Sequence, residues 1–326
     1  MKNLSGYGVK RLLPIFIEGI KKDNWRSKMA SSEALGHIAY CAPRQLSFFL
    51  PDIVKSIWEV LNDTHPKVQE SGIQALTDIS TAIQNPEISD LAPELIWALS
   101  DASNHLNTAL NILLDTNFIH AIDAPSLSLL IPIIESGLRS PNHESKKKST
   151  RVVGHICSLT SNPLDLLPYM EILIPSIKVS LFDPIPEIRA FAAKSLGTMT
   201  KGLGLQNSSI ILKWLIDTLE NKDLQAKERS GAAQGLAEVL SFHGKKFFEE
   251  RLPKLIQKCT SDSKDDSFLW ESYMSVFIYL PTCYSDFERH LTLILPIFYQ
   301  GLSDEQDEIR KLSNRVLKIC VECFGK

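Results

Sequence analysis

Lysine and arginine are missing from one long stretch of this chain. Between Val68 and Leu138 there is no Lys or Arg, against nine acids: Glu70, Asp78, Glu87, Asp90, Glu94, Asp101, Asp115, Asp123 and Glu135. The flanks differ. Residues 139–229 carry 13 basic and 9 acidic residues, and residues 1–67 carry 10 against 6. With a net charge of −3 and a pI near 6.3, the whole surface is not built for nucleic acid. An acidic middle between basic flanks suits a scaffold with two kinds of contact.

Other absences narrow the chemistry. No apolar run reaches the roughly 18 residues that span a bilayer. Leu12–Ile20 is short, contains Glu18 and reads as a repeat helix rather than a secretion signal. The six cysteines (Cys41, Cys157, Cys259, Cys283, Cys320, Cys323) sit mostly among apolar neighbours. They read as buried thiols of a reducing compartment, which predicts a soluble cytoplasmic or nuclear protein. Cys320-x-x-Cys323 has no second pair, and tetrahedral zinc needs four ligands. The eight histidines are scattered, and no phosphate-binding loop, nucleophile elbow or dinucleotide fingerprint occurs. No cofactor, metal, small-molecule substrate or catalytic residue is expected, and the chain reads as a non-enzyme.

What the chain does have is a beat. Prolines fall at Pro14, Pro51, Pro93, Pro132, Pro175, Pro253 and Pro296, with Trp214 in the remaining slot, at intervals of 37 to 43 residues. An acid keeps the same time: Asp23, Asp63, Asp101, Asp183, Asp223, Asp262 and Asp304. A period near 40 with two helices per unit is the signature of HEAT-type repeats. The expected fold is all-α, a right-handed α-α superhelix of the HEAT/armadillo solenoid type with about eight helix pairs. Approximate repeats are 8–46, 47–87, 88–124, 125–164, 165–206, 207–245, 246–286 and 287–326.

The fifth unit shows the logic. Leu173, Ile174, Ile177 and Leu181 make one apolar stripe. Asp183-Pro184-Ile185-Pro186 then breaks the helix, and Glu187 opens the next one near its positive end. A stop is predicted around Gly202 and Gly204. Small residues recur in the second helices, as Ala34-Leu35-Gly36, Ala75-Leu76, Val153-Gly154 and Ala232-Ala233-Gln234-Gly235. Glycine inside a helix costs about 1 kcal/mol relative to alanine, so close helix packing is the expected compensation. The last helix has two apolar sides, Ile309, Leu312, Val316 and Ile319 on one and Leu317, Val321 and Phe324 on another, which predicts an excerpt of a longer array or half of an end-to-end contact.

Lys146, Lys147, Lys148 and Arg151 cluster where a helix should begin, a place unfavourable for positive charge. They are candidate RNA contacts, with Arg189, Lys194 and Lys201 as an extension through phosphate binding. Asp23, Arg26, Asp63, Asp101, Asp183, Arg229, Asp304 and Arg310 are candidates for a structural ladder between adjacent repeats.

Particular strings go further. Asn24-Trp25-Arg26-Ser27-Lys28, Ala42-Pro43-Arg44-Gln45-Leu46-Ser47 and Leu50-Pro51-Asp52-Ile53-Val54 resemble the HEAT domain of fungal elongation factor three. They resemble more closely the matching region of the general-control translational activators, which stimulate the starvation-sensing kinase of initiation factor two. Asn85-Pro86-Glu87-Ile88, Leu113-Leu114-Asp115-Thr116-Asn117-Phe118, Ile122-Asp123-Ala124-Pro125-Ser126-Leu127 and Asp183-Pro184-Ile185-Pro186-Glu187-Ile188-Arg189 point the same way. Arg229-Ser230-Gly231-Ala232-Ala233-Gln234-Gly235-Leu236-Ala237-Glu238-Val239 resembles the activators and not the elongation factor. The likeness covers about residues 20–325 and departs from the family strings around Asn104–Asn111 and Asn142–Ser145. It implies a cytoplasmic scaffold that binds ribosomes, through rRNA and ribosomal proteins. It also implies, through the full-length protein, work with the kinase and with an ATP-binding-cassette partner. The alternative is a protein adaptor, such as a transport receptor or phosphatase scaffold, binding a basic partner on the acidic 68–138 face.

Overall fold

A proline inside a helix forfeits one i→i−4 hydrogen bond, and this chain places one in nearly every first helix of its pairs. The computed structural model describes residues 6–41, 43–160, 162–260 and 267–325. It is an all-α HEAT-type solenoid divided into two units, Met1–Ser176 and Ile177–Lys326. In the first unit the helices are α1 (Gly6–Ile20), α2 (Trp25–Cys41), α3 (Pro43–Leu61), α4 (Pro66–Ser80), α5 (Pro86–Ser100), α6 (Ala102–Asp115), α7 (Ala124–Leu138) and α8 (His143–Leu159). A 3-10 helix at Pro163–Tyr169 leads into α9 (Met170–Leu181), within which the second unit begins. That unit continues with α10 (Pro186–Glu220), α11 (Ala226–Phe242), α12 (Lys245–Thr260), α13 (Ser267–Cys283), a 3-10 turn, α14 (Leu291–Leu302) and α15 (Asp307–Phe324).

Pro14, Pro51, Pro93, Pro132, Pro175, Pro253 and Pro296 lie inside α1, α3, α5, α7, α9, α12 and α14. Trp214 fills its slot in the second arm of α10, with Lys178 4.1 Å above its ring. The two arms of α10 meet at Gly204, whose φ of 75° is left-handed, at the predicted stop.

The turns are built from short polar side chains. Asp63 Oδ1 accepts from the His65 amide, Asp183 Oδ1 from Ile185 and Asp304 Oδ1 from Gln306, at 2.9 to 3.0 Å. In two units a neighbouring asparagine does this work instead, Asn24 for the Arg26 amide and Asn221 for Asp223. Such Asx turns compete with helix continuation and end it. Asp262 lies outside the described residues.

The small-residue faces act as spacing devices. A Cβ on Gly36 of α2 would come within 2.8 Å of the Ala75 Cα of α4. Leu35, Ile38, Ile53, Ile57, Leu76 and Ile88 are almost fully buried in the first unit, and Phe248, Phe277, Phe287 and Phe298 in the second. Burial pushes the Cys157 thiol up to about 12 and raises Cys259 as well. No helix among the described residues is long and apolar enough to cross a membrane.

One connection makes a prediction of its own. In the loop before α7, a single Glu87 oxygen accepts from the Ile119 and His120 amides at 3.0 and 3.3 Å and lies 2.9 Å from His120 Nδ1. The bond to His120 and the backbone amides lower the Glu87 carboxyl from 4.5 to about 2. The unfolded chain therefore binds this proton more readily. The Glu87 contribution is complete above about pH 4.5 and is lost as pH falls towards about 2. Glu87→Gln is expected to lower the urea midpoint at neutral pH, and the gap to wild type should narrow from about pH 5 to about pH 3. A constant gap would remove Glu87 from the acid response.

Candidate partner-binding surfaces

The expected basic cluster is not a free lysine tuft. Asn142 caps α8 by accepting from the Glu144 amide. On this helix Lys146, Lys147 and Lys148 are all half-buried, and Arg151 is exposed. Lys148 Nζ lies 3.8 Å from Glu144 one turn earlier, so the acid in the first turn offsets part of the unfavourable charge near the dipole. These residues lie in the first unit; Arg189, Lys194 and Lys201 lie in the second, with Lys194 and Lys201 exposed.

Arg189 is committed locally. Its Nη1 donates to the carbonyl oxygens of Asp183 and Pro184 at 2.8 and 3.0 Å. Arg310 does the same with Asp304 and Glu305, both at 2.8 Å, and pairs with Asp307 of its own helix. Gln69 donates likewise to the Asp63 carbonyl at 2.7 Å. Six residues beyond the turn's acid, a long donor sits under orphaned turn carbonyls, and only those on its own turn are in reach. Arg310 thus bonds its own repeat, where a contact to the adjacent one was expected.

Arg229 combines both habits, donating to Leu224 O and lying 4.0 Å from Glu271 of α13. Asp63 is reached across the repeats by Lys28, at 2.6 Å, and not by Arg26, which stacks on Trp25 at 5.3 Å. The Lys28 bond holds the Asp63 carboxyl below its usual range. Asp101 caps α6 and contacts Asn104; Asp23 is exposed.

Two clefts gather charges that no short sequence motif announces. In the second unit, a groove of about 650 Å³ is lined by Leu212, Lys213 and Ile216 of α10, Leu236 and Leu240 of α11, and Arg251, Lys254, Leu255 and Lys258 of α12. Lys258 and the Tyr273 hydroxyl both donate to Glu220, at 2.8 and 2.7 Å. Burial raises the Glu220 carboxyl, but these two bonds outweigh it and bring it below its usual range. Arg251 lies over the Phe247 ring. Lys213 and Lys254 are exposed and form no ion pair among the described residues. Glu250 also lines the groove, 3.9 Å from Arg251, so the positive charge of the rim rests on Lys213 and Lys254.

In the first unit, a cleft of about 780 Å³ opens among α3, α7 and the start of α9. Asp52, Glu59, Glu135 and Glu171 line it against only Lys55 and Arg139, with Trp58 and Tyr169 in its walls. Arg139 is held by Glu135 at 2.6 Å. Both clefts are invisible in the one-dimensional charge pattern, because their residues are up to about 120 positions apart. Among the described residues, no group of three or more His, Cys, Asp or Glu side chains is placed to hold a metal ion.

Comparisons with known proteins agree with the repeat reading. Residues 104–209 match the family described as Elongation factor 3/GNC1 HEAT repeat, across the stretches where the strings depart, and residues 1–76 match the EF3 N-terminal HEAT repeat. The chain is 43% identical to Protein ILITYHIA of Arabidopsis thaliana over 95% of its own length. It is 42% identical to the eIF-2-alpha kinase activator GCN1 of Dictyostelium discoideum over 99%, and 41% identical to the Stalled ribosome sensor GCN1 of Homo sapiens over 100%. It spans 12% of the length of each of these relatives.

Proposed function

As a member of the HEAT-repeat family shared by elongation factor 3 and the GCN1 kinase activators, this chain, we propose, is a non-enzymatic, cytoplasmic scaffold segment that contacts ribosomes and supports activation of the eIF-2-alpha kinase. The observation that carries the reading is the match of the whole chain to a protein named as a stalled ribosome sensor. The physical support is the groove between α10 and α12, whose unpaired Lys213 and Lys254 offer point charges to phosphate. Lys146, Lys147, Lys148 and Arg151 offer a second basic surface, on the first unit. Contacts with the kinase and with an ATP-binding-cassette partner belong, in this reading, to the full-length protein.

The test is cosedimentation of the chain with purified ribosomes across a salt series. Wild-type binding is expected to fall steeply with salt. Lys213→Glu with Lys254→Glu, and separately the three substitutions to glutamate at Lys146, Lys147 and Lys148, are expected to weaken it. Each should flatten the salt slope by about one unit per phosphate contact removed. If both sets sediment like wild type, neither basic surface touches the ribosome.

A further inference from the structure

The acidic cleft of the first unit asks for a different partner. Asp52, Glu59 and Glu171 line it and form no ion pair among the described residues; Lys55, on the same helix as the first two, lies beyond ion-pair distance of both. With Arg139 already held by Glu135, the lining leaves two uncompensated negative charges. Phosphate is repelled by such a wall, and a cationic group is drawn to it.

The second observation is Tyr169. Its ring is only 5% exposed, it lines the cleft, and its hydroxyl has no hydrogen-bond partner among the described residues. Burial, with the nearby charges of Asp165 and Asp52, raises its ionisation above the usual phenol range, so at neutral pH this hydroxyl is intact and free to accept or donate. The hydroxyl oxygen is not sealed from solvent, so it opens on the cleft, where an N–H donor can bond it. Trp58 adds a half-exposed indole, while Pro51, Ile131 and Pro132 supply apolar wall.

We propose that this cleft is a binding site for an arginine-bearing segment of a basic partner polypeptide. Carboxylates, an aromatic face and a lone hydroxyl acceptor match the guanidinium group by group. Its planar fork bonds carboxylates in pairs, its face stacks on indole, and a remaining N–H reaches a phenol oxygen. An ammonium satisfies the charge alone, so lysine is the weaker ligand. The volume is within the range of small-ligand pockets and admits one or two side chains, leaving the peptide backbone at the mouth.

The probe is a fluorescein-labelled hexa-arginine peptide titrated with the whole chain and read by anisotropy. Saturable binding is expected, with hexa-lysine weaker by about fivefold or more. Asp52→Lys with Glu59→Lys should weaken hexa-arginine binding by more than about tenfold. Glu70→Lys with Glu94→Lys, an equal charge change at exposed positions outside the cleft, should leave it within about twofold. Tyr169→Phe removes only the hydroxyl and should cost about threefold to tenfold, with an unchanged urea midpoint. Absence of saturable binding overturns the proposal. So does equal loss in the two double variants, or equal affinity for lysine and arginine peptides.

Discussion

Replacing Gly231 with alanine is expected to destabilise the second unit by about 3 kcal/mol, the upper end of what overpacking costs. A Cβ at this position of α11 would overlap the carbonyl oxygen of Leu181 at the end of α9 and press on the Phe182 ring. A rotatable side chain could swing aside, but a carbonyl in the last turn of a helix has no such freedom. Gly244→Ala is the matched control. Gly244 has a φ of 81° and nothing within 4 Å of the added atom, so only left-handed strain is paid, about 1 kcal/mol. Urea unfolding of both variants checks the ordering. A Gly231→Ala midpoint no lower than that of Gly244→Ala would mean that α11 and α9 can part without loss.

Removing the Phe277 side chain should cost about 3–5 kcal/mol, and Phe248→Ala, though equally buried, should cost less. Both rings are fully buried. Phe277 packs edge-on to Phe298, with centroids 5.5 Å apart, so its cavity is apolar and stays dry. Phe248 instead touches Tyr284 at 4.4 Å and His290 at 5.2 Å. The Tyr284 hydroxyl and His290 Nε2 are buried and have no partner among the described residues. A cavity beside them has polar partners for a water, which would recover part of the loss. The two variants, compared by chemical denaturation, should therefore separate. Equal costs would show that no water enters beside His290.

Much of this was legible because HEAT units are local. The proline beat, the polar turns and the Gly/Ala faces each act within about 40 residues, and a helix pair is decided by such short-range terms. Gly204 was readable as a stop, since no side chain competes for a left-handed residue. The acid of the turn was readable as a marker, but its duty was not. Asn24 and Asn221 do in their units what Asp63, Asp183 and Asp304 do in theirs, because any Asx side chain closes the same turn.

The charged residues were legible as a count and not as a surface. Arg189 looked like a phosphate contact and spends its guanidinium on turn carbonyls. Lys213 and Lys254 stand 41 positions apart in the sequence and face one groove. The lysine-free stretch attracted notice, yet only Glu135 of its nine acids lines the acidic cleft. Asp52, Glu59 and Glu171 come from outside it.

The amino-acid order by itself determined the all-α repeat architecture, the place of the turns, the small faces that let helices approach and the family to which the chain belongs. Those follow from backbone propensity, capping and side-chain size within one or two helices. Tertiary structure alone decided which cations remain available to a partner, and which acids share a cleft with Trp58 and Tyr169. Neighbours on a solenoid surface come from different repeats, and how far adjacent first helices separate depends on packing summed over many side chains, a quantity no short stretch encodes.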